Sequence, residues 1–210
     1  MIRYSHSAKA LAVSIALLAG FVDAIGFLQS GGLFVSFMSG NSTRLAVGLA
    51  SGQAIAALAA MIIVSFVAGV VLGSLLGARW SAIRTSLSLV MVALLLGSAS
   101  ALALAGREGL LLAPLAMAMG CANTVFQRDG DVTVGVTYMT GALVRLGQRL
   151  ADALRGGRRW DWVPFLLLWS GLVSGATAGA LMFARAGPQS LWIATIAAAV
   201  MVIWARRLEL

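Results

Sequence analysis

The chain has 210 residues, of which 60% are hydrophobic and 10% charged, with a mean hydropathy of +0.97. This composition excludes a soluble globular domain and predicts an integral membrane protein. The net charge of +8 comes from 15 basic residues, which in such a protein indicate orientation and contact with lipid headgroups. We therefore expect the lipid bilayer as a partner and no nucleic acid.

Six apolar runs, taken in chain order, are long enough to predict membrane spans, although the last is short. The first run is too long for the core of a signal peptide and lacks a small-residue cleavage site, so we interpret it as a retained span. The runs are Ala10–Leu28, Ile55–Ala78, Ser86–Ala105, Leu110–Phe126, Val163–Ala184 and Leu191–Ala205.

A ten-residue motif between the first two runs occurs twice. Ser36–Leu45 matches Thr137–Leu146 in hydroxyl, aromatic, Met, Gly and Arg-Leu positions. Glycine pairs recur at similar offsets, with Gly20 matching Gly120 and Gly69 matching Gly175. Such self-similarity predicts a duplicated unit. We place the repeats at 8–105 and 107–207 within one membrane domain, 1–210.

The two segments that contain the motif, 31–52 and 131–155, are each long enough to cross a membrane but carry polar groups at mid-length. Each begins with residues typical of extended chain and continues as helix-like sequence after Ser39-Gly40 or Thr140-Gly141. The hydroxyl before each glycine is a candidate helix N-cap. Such non-helical backbone survives in a membrane only where protein buries it or where it lines an aqueous cavity. The segments either re-enter the membrane as half-helices or cross it fully.

The distribution of basic residues favours re-entry. With re-entrant segments the chain has six spans, and twelve basic residues lie on the cytoplasmic side against three outside, namely Arg44, Arg107 and Arg185. Eight full spans give a weaker bias, so the positive-inside rule favours six. The resulting prediction is an all-α membrane protein with about six transmembrane helices and two re-entrant segments, built as an inverted 3+3 repeat. Both termini are expected in the cytoplasm of a bacterial inner-membrane protein.

The motifs GFVDAIGF, GLFVSFMSGNSTRLA and TYMTGALVRLG carry a resemblance that covers nearly the whole chain. By these residues the chain resembles the YoaK-like family of bacterial membrane proteins, a domain family of unknown function. The resemblance implies a small multi-span inner-membrane protein and supplies no activity. Ala142 and Val144 stand where hydroxyl residues are common in that family, so the resemblance implies no role for the second half-helix beyond packing and its dipole.

Asp23 is the one acidic residue deep within an apolar run, and Asn123 occupies the matching place in the second repeat. A carboxylate near the centre of a membrane helix costs roughly 2.5–3.5 kcal/mol on insertion scales, so a partner or water must offset it. Asp23, with Asn123 as its counterpart, is a candidate ion-coupling site. The alternative is a structural hydrogen bond or an ion pair with Arg44.

The starts of the two half-helices are the candidate substrate-binding region. Helix N-termini present unpaired N–H groups and partial positive charge, which favour an anion. The alternatives are that the polar groups only satisfy the helix start, that Arg44 points outwards, and that Arg145 lies on a solvated face. The candidate residues are Ser39, Gly40, Asn41, Ser42, Thr43, Arg44, Thr140, Gly141 and Arg145.

Enzyme chemistry finds little support in this sequence. The one histidine, His6, lies in the N-terminal tail, and the one cysteine, Cys121, lies in an apolar run. An intramembrane protease needs paired aspartates, a serine with a base, or a metal site. We therefore predict no catalytic residues, no metal and no cofactor.

These features together predict a secondary transporter or channel for a small, anionic solute, such as a carboxylate, with a midplane site between the half-helices. The alternative is a non-transporting membrane scaffold or assembly protein, in which the same polar groups only hold helices together. Further copies of the chain are a candidate partner. The sequence leaves the substrate, the coupling ion and the oligomeric state open.

Overall fold

The computed structural model describes residues 5–128, 131–132 and 135–208, and α-helices make up most of these ranges. Within these ranges eight α-helices follow in chain order: α1 His6–Ser30, α2 Met38–Ala50, α3 Ile55–Arg79, α4 Arg84–Leu104, α5 Leu112–Ala122, α6 Met139–Leu154, α7 Val163–Ala186 and α8 Leu191–Leu208. Three 3-10 turns accompany them at Ser81–Ile83, Glu108–Leu110 and Gly187–Ser190, and two antiparallel strands, β1 Gln127–Arg128 and β2 Asp131–Val132, follow α5. Part of the predicted segment 131–155 and the basic residue Arg3 lie outside the described residues.

Among the described residues, four helical runs are long and apolar enough to cross a membrane: His6–Ser30, Ile55–Arg79, Ser81–Leu104 and Val163–Leu208. The last contains both α7 and α8, joined by the turn at Gly187–Ser190. The apolar helical run Glu108–Ala122, which includes α5, is shorter. The predicted class, an all-α protein with helices that can span a membrane, is confirmed. The six-span count and the inverted repeat stay predictions.

Glycines bring two pairs of helices into backbone contact. On α1 and α7, a methyl group at Gly20 would overlap the carbonyl of Leu172, and one at Gly175 would overlap the carbonyl of Leu17. Phe21 meets Gly179 one turn further along both helices, so the two helices run parallel. Close approach through small residues is the usual way in which membrane helices associate, because lipid provides no hydrophobic drive between them.

The helices α3 and α5 pack in the same manner. A methyl group at Gly120 would overlap the carbonyl of Phe66, and one at Gly69 would overlap that of Met117. Gly73 lies against Thr124, so these two helices also run parallel. The first helix of each predicted repeat therefore packs against the long third helix of the other repeat.

Hydrogen bonds between helix ends show which of them lie at the same end of the bundle. At one end of the bundle, called the Glu108 end, Gln29 at the close of α1 donates to Glu108 at 3.0 Å, and Gln189 donates to the Ala103 carbonyl at 3.1 Å. At the opposite end, called the Arg84 end, the Arg84 guanidinium donates to the Gln127 carbonyl at 2.6 Å. The helices α1, α4 and α7 thus run towards the Glu108 end, and α3, α5 and α8 run away from it.

The centre of the bundle is formed by α1, α5, α4 and α8. Along α5, eight of eleven residues are buried. Two hydroxyl pairs join helices there: Ser88 and Thr124 at 3.3 Å, and Ser100 and Thr195 at 2.9 Å. By contrast α2 and α6 lie at the periphery, where α2 packs mainly on α3 and α6 on α7. Most of their residues are exposed.

Candidate functional site

The chain between α1 and α2 turns back along α1. The helix ends at Gly31, whose φ of +71° is the left-handed conformation that favours glycine at this position. The N–H groups of Val35 and Ser36 then both donate to the Asp23 Oδ1 at 2.8 Å. Asp23 lies seven residues before the end of α1, about 10 Å at the helical rise of 1.5 Å per residue. The loop therefore returns about 10 Å along the bundle before α2 begins.

The Asp23 carboxylate with the Val35 and Ser36 N–H groups is called the Asp23 clamp here. Two backbone donors from neighbouring residues thus converge on one carboxylate oxygen. The alternative ion pair between Asp23 and Arg44 is wrong, because the one salt bridge among the described residues joins Arg149 to Asp152. Backbone N–H groups offset the cost of placing the carboxylate here.

A second side chain satisfies the loop from the α2 side. The buried Asn41 amide accepts from the Phe34 N–H at 3.0 Å and donates to the Phe34 carbonyl, so that it pairs with this backbone as a neighbouring strand would. At the close of α1 the Ser30 hydroxyl accepts from the Leu33 N–H at 2.8 Å. Asp23, Asn41 and Ser30 thus replace the partners that the non-helical backbone would find in water.

The helix α2 starts one residue before the predicted N-cap. Its first residue is Met38 and its N-cap is Phe37, which forms no side-chain capping bond, so the prediction of Ser39 as N-cap is wrong. The reason is that the backbone before α2 is held by Asp23 on α1 and by Asn41 at the end of the first turn of α2, so no hydroxyl cap is used. Gly40 faces the rings of Phe37 and Phe34 in its own loop.

The remaining candidates of the first motif face outwards. The Ser42 hydroxyl donates to the Met38 carbonyl at 2.8 Å and the Thr43 hydroxyl to the Ser39 carbonyl at 3.2 Å, and these three hydroxyl residues are exposed. Arg44 is exposed too, and its guanidinium lies beside Gly32 rather than beside Gly40. The structure therefore brings Asp23 together with Ser36 and separates both from Ser42, Thr43 and Arg44.

The second motif repeats part of this arrangement. The buried Asn123 donates to the Met119 carbonyl at 2.9 Å and accepts from the Thr137 hydroxyl at 3.1 Å. Thr137 occupies the motif position of Ser36, so in both motifs the first residue bonds to the Asp23 or Asn123 position, through the Ser36 N–H and the Thr137 hydroxyl. This partner was missing from the predicted site, although the hydroxyl that begins both motifs was a visible signal for it.

The helix α6 begins at Met139 with Tyr138 as N-cap, so the prediction of Thr140 as N-cap is also wrong. Thr140, Gly141 and Arg145 are exposed. No atom beyond the local backbone lies within 4 Å of a methyl group placed at Gly141, so this glycine, unlike Gly40, has room for a side chain. The rings that restrict Gly40 belong to its own loop, which the second half does not reproduce at Gly141.

Comparison with known proteins assigns the chain to a family. The family model described as "Protein of unknown function (DUF1275)" matches residues 11–204. The chain is 38% identical to a UPF0700 transmembrane protein of Rhizobium meliloti strain 1021 over 197 residues, which cover 93% of this chain and 85% of the relative. No solved structure matches the chain. The chain therefore belongs to the DUF1275 family of membrane proteins, whose function is unknown.

Proposed function

We propose that this protein is a small secondary transporter of the bacterial cytoplasmic membrane, without enzymatic activity, and that the Asp23 clamp is its working site. The observation that carries the proposal is the return of the chain to Asp23. A segment leaves α1, runs back about 10 Å along it and begins a short helix there. Discontinuous segments that start helices within the bundle are typical of transporter binding sites.

The topology proposed with this function has six spans and an inverted 3+3 repeat. Its support is the direction of the helices. Within the first predicted repeat α1 and α3 run in opposite directions, yet α1 runs parallel to α7, which is the counterpart of α3 in the second repeat. The same holds for α3 and α5. With the Arg84 end in the cytoplasm, the basic turn Arg155–Arg159 and the C-terminal arginines of α8 obey the positive-inside rule.

Labelling of single cysteines tests this topology. Cys121 is buried, and a Cys121→Ala background removes it altogether. In that background Gln53→Cys, in the exposed turn after α2, should react with a membrane-impermeant maleimide in intact cells. Gly157→Cys, in the α6–α7 turn, should react only after permeabilisation. Reaction of Gln53→Cys from the cytoplasmic side alone would show that 31–52 crosses the membrane, and the re-entrant model would be lost.

A small anion is the proposed class of solute. The N–H groups of Met38, Ser39 and Gly40 in the first turn of α2 have no intrahelical partner, because a helix start leaves its first donors free. Such a start also carries partial positive charge, and Arg44 adds a full charge two turns along. These donors lie immediately after the segment that the Asp23 clamp holds, so release of the clamp would change access to them.

Proton or cation binding at Asp23 is the proposed coupling step. Bonds from N–H donors to a carboxylate are about twice as strong as bonds to a neutral acceptor, so neutralising Asp23 weakens the hold on Val35 and Ser36. The second repeat places the neutral Asn123 in the matching position. The titratable switch therefore belongs to one half of the molecule, and the other half serves as its fixed counterpart.

Uptake into proteoliposomes tests the function. Wild-type protein should accumulate one or more members of a panel of small inorganic anions and carboxylates when a proton or sodium gradient is imposed. Asp23→Asn keeps an acceptor oxygen and should fold, but uptake should no longer follow the gradient. Asp152→Asn, the same isosteric change at an exposed carboxylate of α6, serves as the control. Ion-driven uptake that is unchanged in Asp23→Asn would end the coupling proposal.

The second candidate is a non-transporting scaffold, and one observation favours it. The loop polar groups find partners within the chain, whereas Ser42 and Thr43 face outwards. In a scaffold, α2 and α6 would offer their exposed faces to other proteins. Absence of uptake for the whole panel, together with a stable larger assembly after mild extraction from membranes, would favour this candidate.

A further inference from the structure

A groove lies between the first turns of α1 and α7 at the Arg84 end. Its volume is about 790 Å³. Two helices supply its walls, and Trp160, three residues before the start of α7, also lines it. The lining residues are His6, Lys9, Ala10, Val13, Ser14, Trp160, Val163, Pro164 and Leu167.

The groove closes where the two helices meet. A methyl group at Gly171 would lie 3.2 Å from Val13, and deeper in the bundle Gly175 lies against Leu17, so there is no space between the helices below this level. Above it the facing residues are larger than glycine, with Leu167 and Val163 on α7. The groove is thus blind at the membrane-interior end and open towards the Arg84 end.

The side chains that line the groove change from apolar at one end to basic at the other. Its closed end is lined by aliphatic side chains such as Val13 and Leu167, and its open end by Lys9 and His6. Trp160 stands at the open end with the Arg159 guanidinium 5.7 Å from its ring centre. Tryptophan and basic side chains at one level are typical of the boundary between the acyl chains and the headgroups of a bilayer.

We propose that this groove binds an anionic phospholipid, with one acyl chain along Val13 and Leu167 and the headgroup phosphate at Lys9. A ligand with both parts matches the lining, because the apolar depth would exclude a soluble phosphate and the basic rim would favour a negative headgroup over a zwitterionic one. This proposal is independent of transport and of which end faces the cytoplasm.

The internal repeat provides a comparison within the chain. The offset that matches Gly20 to Gly120 places Gly109 where α1 has Lys9. The offset that matches Gly69 to Gly175 places Ala54 where Trp160 precedes α7. Lys9 and Trp160 are therefore present at the α1–α7 pair and absent from the matching places of the α3–α5 pair. Because both pairs pack closely, packing of the helices does not require these two side chains.

Lipid binding to the purified protein in detergent tests the proposal, with native mass spectrometry as the readout. The probes are phosphatidylglycerol, phosphatidylcholine with the same acyl chains, and glycerol 3-phosphate, which has the headgroup charge without the tails. The wild-type protein should bind phosphatidylglycerol about fivefold more tightly than phosphatidylcholine, the preference expected when one basic residue contributes about 1 kcal/mol. Glycerol 3-phosphate should not bind in the same range.

Two variants and one control locate the binding. Lys9→Gln should remove the fivefold preference, and Ala10→Trp, which fills the groove without changing charge, should reduce binding of both lipids. Arg185→Gln removes a basic residue from the opposite end of α7 and should leave the preference intact. Circular dichroism and melting temperature confirm that each variant is folded.

Three results would overturn the proposal. The first is an unchanged preference for phosphatidylglycerol in both Lys9→Gln and Ala10→Trp. The second is binding of glycerol 3-phosphate as tight as that of the lipid, which would indicate a soluble phosphate site. The third is loss of a dimer in Ala10→Trp with lipid binding unchanged, which would assign the groove to a second copy of the chain.

Discussion

Gly20 on α1 lies so close to the Leu172 carbonyl on α7 that no side chain fits between them. The same relationship joins Gly120 on α5 to Phe66 on α3. Gly20 and Gly120 are matching residues of the predicted repeats, and each connects one half of the chain to the other. At these two places the halves meet through backbone surfaces in direct contact, which cannot yield to a larger residue by rotating a side chain.

Gly20→Val is expected to be strongly destabilising for this reason. Overpacking of a well-filled interior costs about 1–3 kcal/mol, and contact with backbone places this site at or above the upper value. Gly147→Val is the matched control, because a methyl group at Gly147 meets no atom within 4 Å. Melting temperature and the monodisperse fraction in detergent provide the measurement. Equal stability of the two variants would contradict the packing of α1 on α7.

Gly40 and Gly141 should differ although they hold the same place in the motif. Gly141→Leu should behave as wild type in stability, within about 0.5 kcal/mol, because the site is exposed and open. Gly40→Leu should lower the melting temperature, because its side chain must displace the Phe37 ring. Loss of folded protein in Gly141→Leu would mean that another molecule covers this face of α6.

The Asp23 clamp predicts a graded series of stabilities. Asp23→Ala leaves the N–H groups of Val35 and Ser36 without their acceptor, at a cost of about 1–3 kcal/mol for each buried donor. Asp23→Asn keeps an acceptor oxygen and should cost about 1–2 kcal/mol, the difference between a charged and a neutral acceptor. Chemical or thermal unfolding in detergent measures both. A stability order in which Ala equals Asn would show that the carboxylate does not hold the loop.

Asn41→Ala is expected to destabilise the start of α2 by about 2 kcal/mol, because both backbone groups of Phe34 lose their partner. Ser42→Ala is the control in the next position. Its hydroxyl is exposed and bonds only within α2, so its removal should change stability by less than about 0.5 kcal/mol. Hydrogen exchange of residues 33–38 provides a local readout, with faster exchange expected in Asn41→Ala alone.

Arg44→Gln separates a role in solute binding from a role in folding. The side chain is exposed and forms no ion pair among the described residues, so the melting temperature should be unchanged. If Arg44 draws anions to the start of α2, uptake of the transported anion should fall several-fold and depend less on ionic strength. Arg145→Gln on the exposed face of α6 is the control, with wild-type uptake expected.

The apolar runs of the sequence predicted the long helices closely, since helix α3 spans Ile55–Arg79 against a predicted Ile55–Ala78. Hydropathy suffices there because an isolated span must satisfy its own backbone by forming a helix. The repeated motif also predicted where that regularity breaks, between Gly31 and Met38. The interruption was visible because polar and glycine residues replace the apolar ones at that point.

The path of the loop was not predictable in the same way. Whether Asp23 meets Arg44 or the Ser36 backbone depends on the turn at Gly31 and on how far the chain returns along α1, and several paths fit the same residues. The pairing of Asn41 with Phe34 depends on backbone direction, which no side-chain pattern encodes. The predicted caps failed for this reason, because the true partners of the loop lie on another element.

The contact of Leu17 with Gly175 also determines how long α1 waits for its partner helix during synthesis of the chain. The two residues are separated by most of the chain, so α1 enters the membrane long before its parallel partner α7 has been synthesised. At about 5–20 residues per second the ribosome needs roughly 8–30 s to close that gap. During this interval the face of α1 that later packs against α7 must be sheltered by the insertion machinery or by lipid. A chain truncated before α7 should therefore be a substrate for membrane quality control rather than a stable half-molecule.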